Sequence, residues 1–446
     1  MKLIVRVLIV SCLYTIGSLY GIEAAAVNPA DLIKLGKGLF NSETFDGNGR
    51  TCATCHRPEN NFTIDPKFIA TLPPDDPLFV HEFNPELEEL EDAVLLRKYG
   101  LILENVDGFD KLGVFRGTPH TLALNTTIEY DDDALRALNK VHALGWSGDG
   151  SANDGSLRSF AVGAIIQHFP KTLNRVEGAD FRLPTELELD ALEAFQRSLG
   201  RQKEINLSQM NFSEALVIRG QELFFSQKSG PCSLCHDNAG ANMASGLGRN
   251  FVIGIEDMPD AVHTMEVPSV PYDAGMGTVP NDKGFGDNSF NTPSLVEAAD
   301  TAPFFHNNSV TSLESAVAVY TGDSFQTASG LDVDLEQTEI LAIAALLRTL
   351  NVLENIRNSN KLDQDATGES LADGLSLINI AMSDTEDAIQ VLQGMEYVIF
   401  EGVVELLEEA YNLEMSAIQT ANLSTRNKIL KEAIAKKNKA KRLMLN

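Results

Sequence analysis

Five cysteines occur in the chain, and four of them fall in two matched clusters. Cys52-Ala53-Thr54-Cys55-His56 and Cys232-Ser233-Leu234-Cys235-His236 each place two thiols three residues apart and a histidine directly after the second. C-x-x-C-H is the attachment signature of c-type haem. Two thiols at that spacing reach both vinyl groups of one porphyrin, and the adjacent imidazole becomes the proximal ligand of the iron. Three other readings compete. Two redox disulfides would not require a histidine after both pairs. A zinc site of four thiolates would join pairs far apart in sequence and leave both histidines idle. Coincidence would have to produce the pattern twice and leave Cys12 as the only other cysteine. The spacing therefore predicts two covalently bound haem c groups, with His56 and His236 as iron ligands.

The N-terminus supports an exported protein. Lys2 and Arg6 supply a basic start, residues 7–22 are mostly apolar and uncharged, and Ala24-Ala25-Ala26 offers a small-residue cleavage site. This predicts a signal peptide over 1–26 and a periplasmic mature chain. A retained anchor is the alternative. No later stretch is apolar enough to span a bilayer, so stable membrane insertion is not expected. The 446 residues are 43% hydrophobic and 22% charged, an ordinary globular composition, with a formal charge of −28. So acidic a chain disfavours nucleic acid as a partner, because phosphate binding needs Lys and Arg. It permits a basic protein partner steered by the field.

These clusters need elements to hold them. Leu32, Leu35, Leu39 and Phe40 predict a helix before the first cluster. Asp132–Leu144 and Ser156–His168 have helical spacing, with a Gly/Ser/Asp loop around Trp146 between them. Thr185 and Glu188 form a capping box for a helix through Leu189, Leu192 and Phe195 that stops at Gly200. After a linker near 201–212, Gly220-Gln221-Glu222-Leu223-Phe224 precedes the second cluster as Gly36-Lys37-Gly38-Leu39-Phe40 precedes the first. The plan is an internal repeat. Helices are predicted near 312–320 and 335–351. Ser383 and Glu386 suggest a capping box before a long amphipathic helix running to Leu413. The stretch from Arg426 to the end holds eight Lys or Arg and one Glu. The expected fold is mainly α: a haem domain over 27–205, a second over 206–360, long loops in both, and a C-terminal helical extension over 361–446. The extension could pack on the haem domains, form a homodimer or dock a partner.

With both clusters placed, the chain resembles the bacterial di-haem cytochrome c peroxidase/MauG family over roughly residues 30–357. Besides the haem motifs, Leu39-Phe40-Asn41 looks like the family's entry to its first haem. Arg116-Gly117-Thr118-Pro119, ending at Asn125, looks like its Arg-Asn-x-Pro-Thr segment. Asn291-Thr292-Pro293-Ser294-Leu295 and Thr301-Ala302-Pro303-Phe304-Phe305-His306-Asn307 look like the block after the second haem. The resemblance implies a peroxidatic haem in the N-terminal half, an electron-transfer haem in the C-terminal half, and a tryptophan between them, here Trp146. It implies that His306 buttresses the second haem. It also implies a calcium ion between the domains, held by the carbonyls of Thr301 and Pro303 and by a carboxamide where this chain has Gly117, so that site is left incomplete.

The resemblance further places a distal ligand of the second haem at Tyr320, where family members carry Met or Tyr. A helix-packing role is the alternative, and Met258, Met265 and Met276 are other sulfur donors. A phenolate ligand favours ferric over ferrous iron. For the first haem, family peroxidases use a Glu and a Gln downstream of the tryptophan. Here the matching stretch, Ala164-Ile165-Ile166-Gln167-His168-Phe169-Pro170, has no carboxylate. Gln167 and His168 are the candidate polar groups, His168 also a candidate ligand. His120, His81, His142 and His263 are weaker candidates. Three functions are open: a peroxidase reducing hydrogen peroxide with electrons from a small redox protein; a MauG-like protein-oxidising enzyme or a di-haem oxygenase; and a non-catalytic di-haem electron carrier.

Overall fold

A computed structural model describes residues 28–105, 108–109, 113–127, 156–226, 232–241, 250–259, 270–275, 288–395, 397 and 400–446. The signal segment, the 132–144 pattern, Trp146, His142, His263, Met265 and Met276 lie outside the described residues. What is described is mainly helical.

The first unit opens with α1 (Pro29–Ser42), whose N-terminus is capped by Asn28 and started by Pro29. A single turn, α2 (Cys52–Cys55), carries the first thiol pair. An antiparallel ribbon follows, β1 (Leu101–Glu104) with β2 (Val114–Gly117), and then α3 (Leu157–His168) and α4 (Glu186–Ser198). The Thr185–Glu188 capping box starts α4 as expected. The buried faces of α1 and α4 meet at Gly36, where an added Cβ would lie 1.9 Å from the Ala191 carbonyl oxygen. One turn on, Phe40 and Phe195 pack with ring centroids 5.2 Å apart.

The second unit repeats this crossing. Helix α5 (Ala215–Phe224) meets α8 (Gln337–Ala366), and a Cβ on Gly220 would lie 2.0 Å from the Ala342 carbonyl oxygen. Between them lie the ribbon of β3 (Asn250–Val252) and β4 (Ser289–Asn291) and the short helices α6 (Leu313–Val319) and α7 (Asp323–Ser329). The sequence repeat is thus a repeat of one helix crossing. Glycine permits the backbones to touch, and the residue one turn later fills the groove beside the contact.

Two helical expectations are corrected. Helix α8 does not end near 351; it runs 30 residues to Ala366, unbroken across 360. Its buried face continues past the apolar residues as Asn351, Asn355, Ser359 and Asp363, spaced four apart. Periodicity of apolar residues misses a stripe that stays buried but turns polar. Ser383 caps nothing: it lies inside α9 (Leu371–Gln393), its Oγ donating to the Asn379 carbonyl one turn back. Ser370 caps that helix instead. The expected long helix is broken between Gly394 and Gly402, whose φ is +73°, and α10 (Val403–Gln419) starts afresh. Helix α11 (Leu423–Met444) closes the chain.

The end of α8 with α9, α10 and α11 forms an up-and-down four-helix arrangement in which sequence neighbours pack and α11 returns to α8. Ser359, Asp363, Thr385, Glu414 and Lys437, from all four helices, meet in its buried centre. The extension is fused to the second unit: Ala388, Val391, Leu392, Val403, Leu407 and Met444 share one apolar core with Leu223, Phe224 and Leu346. No described helix is long and apolar enough to cross a membrane.

Candidate functional site

In the first motif, one helical turn presents Cys52 and Cys55 together, and the His56 amide donates to the Cys52 carbonyl at 3.0 Å. The His56 Nδ1–H donates to the Phe62 carbonyl at 3.0 Å, and the Pro119 carbonyl also faces the ring. Burial pushes the imidazole down to about 4. A neutral ring with Nδ1–H on a carbonyl presents Nε2 as a lone-pair donor, the form a metal needs. In the second motif, the His236 amide donates to the Cys232 carbonyl at 2.9 Å, and His236 Nδ1–H donates to the Pro293 carbonyl at 3.0 Å. Burial again lowers the imidazole to about 4. The Nδ1 partner differs between the units: the Phe62 carbonyl serves His56 and the Pro293 carbonyl serves His236.

None of the four motif cysteines is paired in a disulfide. Burial pushes Cys52 up to about 12 and Cys55, Cys232 and Cys235 up to about 11. Redox-active C-x-x-C pairs have depressed thiol values, and these are shifted the other way. Among the described residues no three His, Cys, Asp or Glu side chains gather as a metal cluster, and the two thiol pairs are not brought together as zinc requires. Two half-buried thiols and one neutral, oriented imidazole, present twice, are the donor set that covalent haem takes.

A buried polar cluster lies beside the first motif. Arg50 donates to the Pro77 and Leu78 carbonyls and pairs with Glu91 at 2.7 Å, both side chains essentially inaccessible. Burial raises the Glu91 carboxyl, but Arg50 and His168 outweigh it and hold it at about 2. His168 Nδ1 lies 3.7 Å from Glu91 Oε1, and its Nε2 accepts from Gln167 at 2.9 Å. Gln167 also accepts from the Asn105 amide and donates to the Leu103 carbonyl, which fastens it to the end of β1. His81 is buried in the same region, near Arg50 and Glu91, and neither ring nitrogen has a hydrogen-bond partner. His120 lies near enough to His56 to help lower it; its Nδ1 accepts from the Leu122 amide, and it feels Glu297 of the second unit and Arg201 of the linker.

Tyr320 caps α6 and sits in an aromatic pocket, 4.9 Å from the Phe325 ring and 6.4 Å from Phe305. Burial, then the Cys232 and Cys235 sulfurs nearby, drives its phenol well above the usual range. His306 is stacked on Phe290 at 3.7 Å, and its Nε2 lies 3.1 Å from Glu256 Oε1. Glu256 also accepts from Asn307 and from the Asp273 amide. Asp273 binds Arg116 through both oxygens, at 2.6 and 2.8 Å. Arg116 and His306, both in motif blocks, are thus linked across the two units. At the position of the expected calcium carboxamide, a side chain on Gly117 would run into the Asn308 carboxamide, whose Nδ2 donates to the Tyr99 carbonyl at 2.8 Å.

Glu91, Arg50, Glu256 and Asp273 were not singled out from the sequence. Arg50, two residues before Cys52, offered only its position; Glu91 lies in an acidic run (Glu86, Glu88, Glu89, Glu91, Asp92) that reads as a solvated face.

No family model matches the chain, and no curated protein is significantly similar in sequence. Among solved structures, a MauG-like protein associated with microbial copper homeostasis is 20% identical over 72% of this chain and 88% of its own, with a TM-score of 0.44. Hydrazine synthase of Kuenenia stuttgartiensis is 15% identical over 78% of this chain and 98% of its own, with a TM-score of 0.35. Likeness at that level leaves function to the site itself.

Proposed function

We propose that this chain is an exported di-haem c-type oxidoreductase of the peroxidase kind. Hydrogen peroxide is reduced to water at the His56 unit, and electrons from a small redox protein enter through the His236 unit. The carrying observation is an asymmetry: two units with the same thiol–imidazole frame, one with His168 set between Gln167 and Glu91 beside it and the other with Tyr320 beside its cysteines. Haem, when bound by Cys52, Cys55 and His56 and by Cys232, Cys235 and His236, supplies the redox-active iron. Each peroxide consumes two electrons and two protons. His168, between Gln167 and Glu91, can hold a proton at Nδ1 and return it, and the Glu91 charge stabilises its imidazolium. Gln167 fixes the ring. His81, buried with both nitrogens unpartnered, is a second donor or ligand on that side. Trp146 is the proposed residue between the haems, and His306, held by Glu256, supports the second.

The test is peroxide turnover by the exported, pre-reduced protein with a reduced cytochrome or artificial donor. Absence of turnover in protein whose intact mass shows two haems would overturn the reading. The position of Tyr320 beside Cys232 and Cys235 favours a second reading, oxidation of a partner protein, because its oxygen, if ionised by binding iron, would hold that iron oxidised. A long-lived oxidised spectrum after peroxide addition would select it. Indifference of both haems to cyanide and carbon monoxide would instead mark an electron carrier.

A further inference from the structure

The loop after the first motif has an unusual backbone. Asn61 and Phe62 are consecutive non-glycine residues with φ of 53° and 54°. This left-handed pair is what turns the Phe62 carbonyl onto His56 Nδ1. Such a conformation persists only where surrounding contacts over-determine it. Phe62 is held locally: its amide donates to the Arg57 carbonyl at 2.8 Å, and its ring meets Phe40 edge-on at 6.3 Å. Asn61 is held from elsewhere. Its Nδ2 donates to Asp387 Oδ2 at 3.1 Å, a contact spanning 326 positions. Asp387 lies on α9, which packs against residues 58–60. The same helix pair reaches the block after the second motif, where Asp300 accepts from Asn355 at 2.7 Å and also from Asn351, both on α8.

We infer that Asp387 is a positioning residue for the first haem: through Asn61 it fixes the left-handed turn that holds the Phe62 carbonyl on His56, and so sets how strongly His56 donates to the iron. The inference rests on the proposed haem at His56. It gives the C-terminal extension a task that reaches the opposite unit. A firm Nδ1–H···O bond makes an imidazole a stronger donor and stabilises ferric iron. Loosening it must raise the reduction potential of that haem alone.

The experiment is a redox titration of the full-length holoprotein, with resonance Raman of its ferrous iron–histidine stretch, and needs no peroxide. Asp387→Ala and Asn61→Ala are each expected to raise the first haem's potential by about 59 mV, a tenfold change in its ferric-to-ferrous ratio. The iron–histidine frequency should fall, with the second haem unmoved. Asp387→Asn, which keeps an acceptor for Asn61, is expected to stay at the wild-type potential. Should Asp387→Ala fail to fold, Asn61→Ala leaves α9 intact and decides alone. A first-haem potential unchanged in Asn61→Ala overturns the inference, as does an equal shift of both haems, which would signal general loosening. A protein that titrates this way without turning over peroxide would sink the peroxidase reading and leave this one standing. A chain without covalent haem would end both.

Discussion

Around the first thiol pair the structure gathers Arg50, Glu91, His81, Gln167 and His168, all buried or nearly so; around the second, Tyr320 is enclosed by Phe305 and Phe325. The scaffold beneath is shared, down to the glycine crossing and the carbonyl on each histidine. The difference therefore lies in what each unit can do with protons. An ionised carboxylate, held down by Arg50, stands beside a neutral histidine in the first unit. A phenol pushed toward its neutral form stands in an apolar shell in the second. Peroxide reduction needs proton delivery at one site and electron passage at the other.

The shared scaffold is the first thing to break. Gly36→Ala and Gly220→Ala each drive a Cβ into a backbone carbonyl, at 1.9 and 2.0 Å. Each is expected to cost at least the upper end of the ~1–3 kcal/mol typical of core overpacking. Denaturant midpoints would check this. A mild effect at one position and not the other would show that the two crossings are not equivalent.

The functional difference comes next. Glu91→Gln and His168→Ala are each expected to lower peroxide turnover by about 10²–10⁴-fold, the range for a lost acid–base group. The spectrum of the second haem should not change. Turnover that survives both substitutions removes the proton-handling role. Tyr320→Phe is expected to act on the other unit alone, altering its low-spin ferric spectrum and leaving that of the first in place. An unchanged spectrum excludes Tyr320 as a ligand.

How much of this was legible depended on whether burial follows apolar character. The two motifs, the Gly–Phe repeat and the Thr185 cap could be read because each pairs a residue type with one physical requirement. The Arg116 and Asn291–His306 blocks were legible by resemblance, and the structure turns the Pro293 carbonyl of the second onto His236. Glu91 was not, because a buried carboxylate inside an acidic run has no local mark; Arg50 and His168, both far away in sequence, make its burial tolerable. Nor was the length of α8, where Asn351, Asn355, Ser359 and Asp363 continue a buried face in polar form. Asp387 carried no signal at all, since its partner Asn61 belongs to the opposite unit.

The smallest expected effect separates the carboxyls of the first unit from those where the extension meets the haem units. Glu91 is held at about 2, so the stability it contributes is present above its ordinary value and lost only as pH falls toward 2. Asp300 and Asp387 behave oppositely. Burial, and for Asp300 the nearby Asp387 charge, raises them to about 8 and about 6. The folded protein then binds more protons than the unfolded chain, and stability falls as pH rises through those values. Below about 6.5 the buried histidines oppose this trend, because burial lowers them and their contribution grows with pH. Between pH 6.5 and 9 Asp300 acts together with Glu414, which burial also raises to about 8, and with Asp384, which burial raises well above the ordinary carboxyl range. Thermal unfolding there is expected to shift downward with pH, by at most about 1.4 kcal/mol per pH unit for one proton. Asp300→Asn, which keeps an acceptor for Asn351 and Asn355, should reduce the slope and leave the part that Glu414 carries. A slope unchanged in that variant would assign the protons elsewhere, and a steeper one would mean that Asp300 is ionised in the folded state and stabilised by its two asparagines.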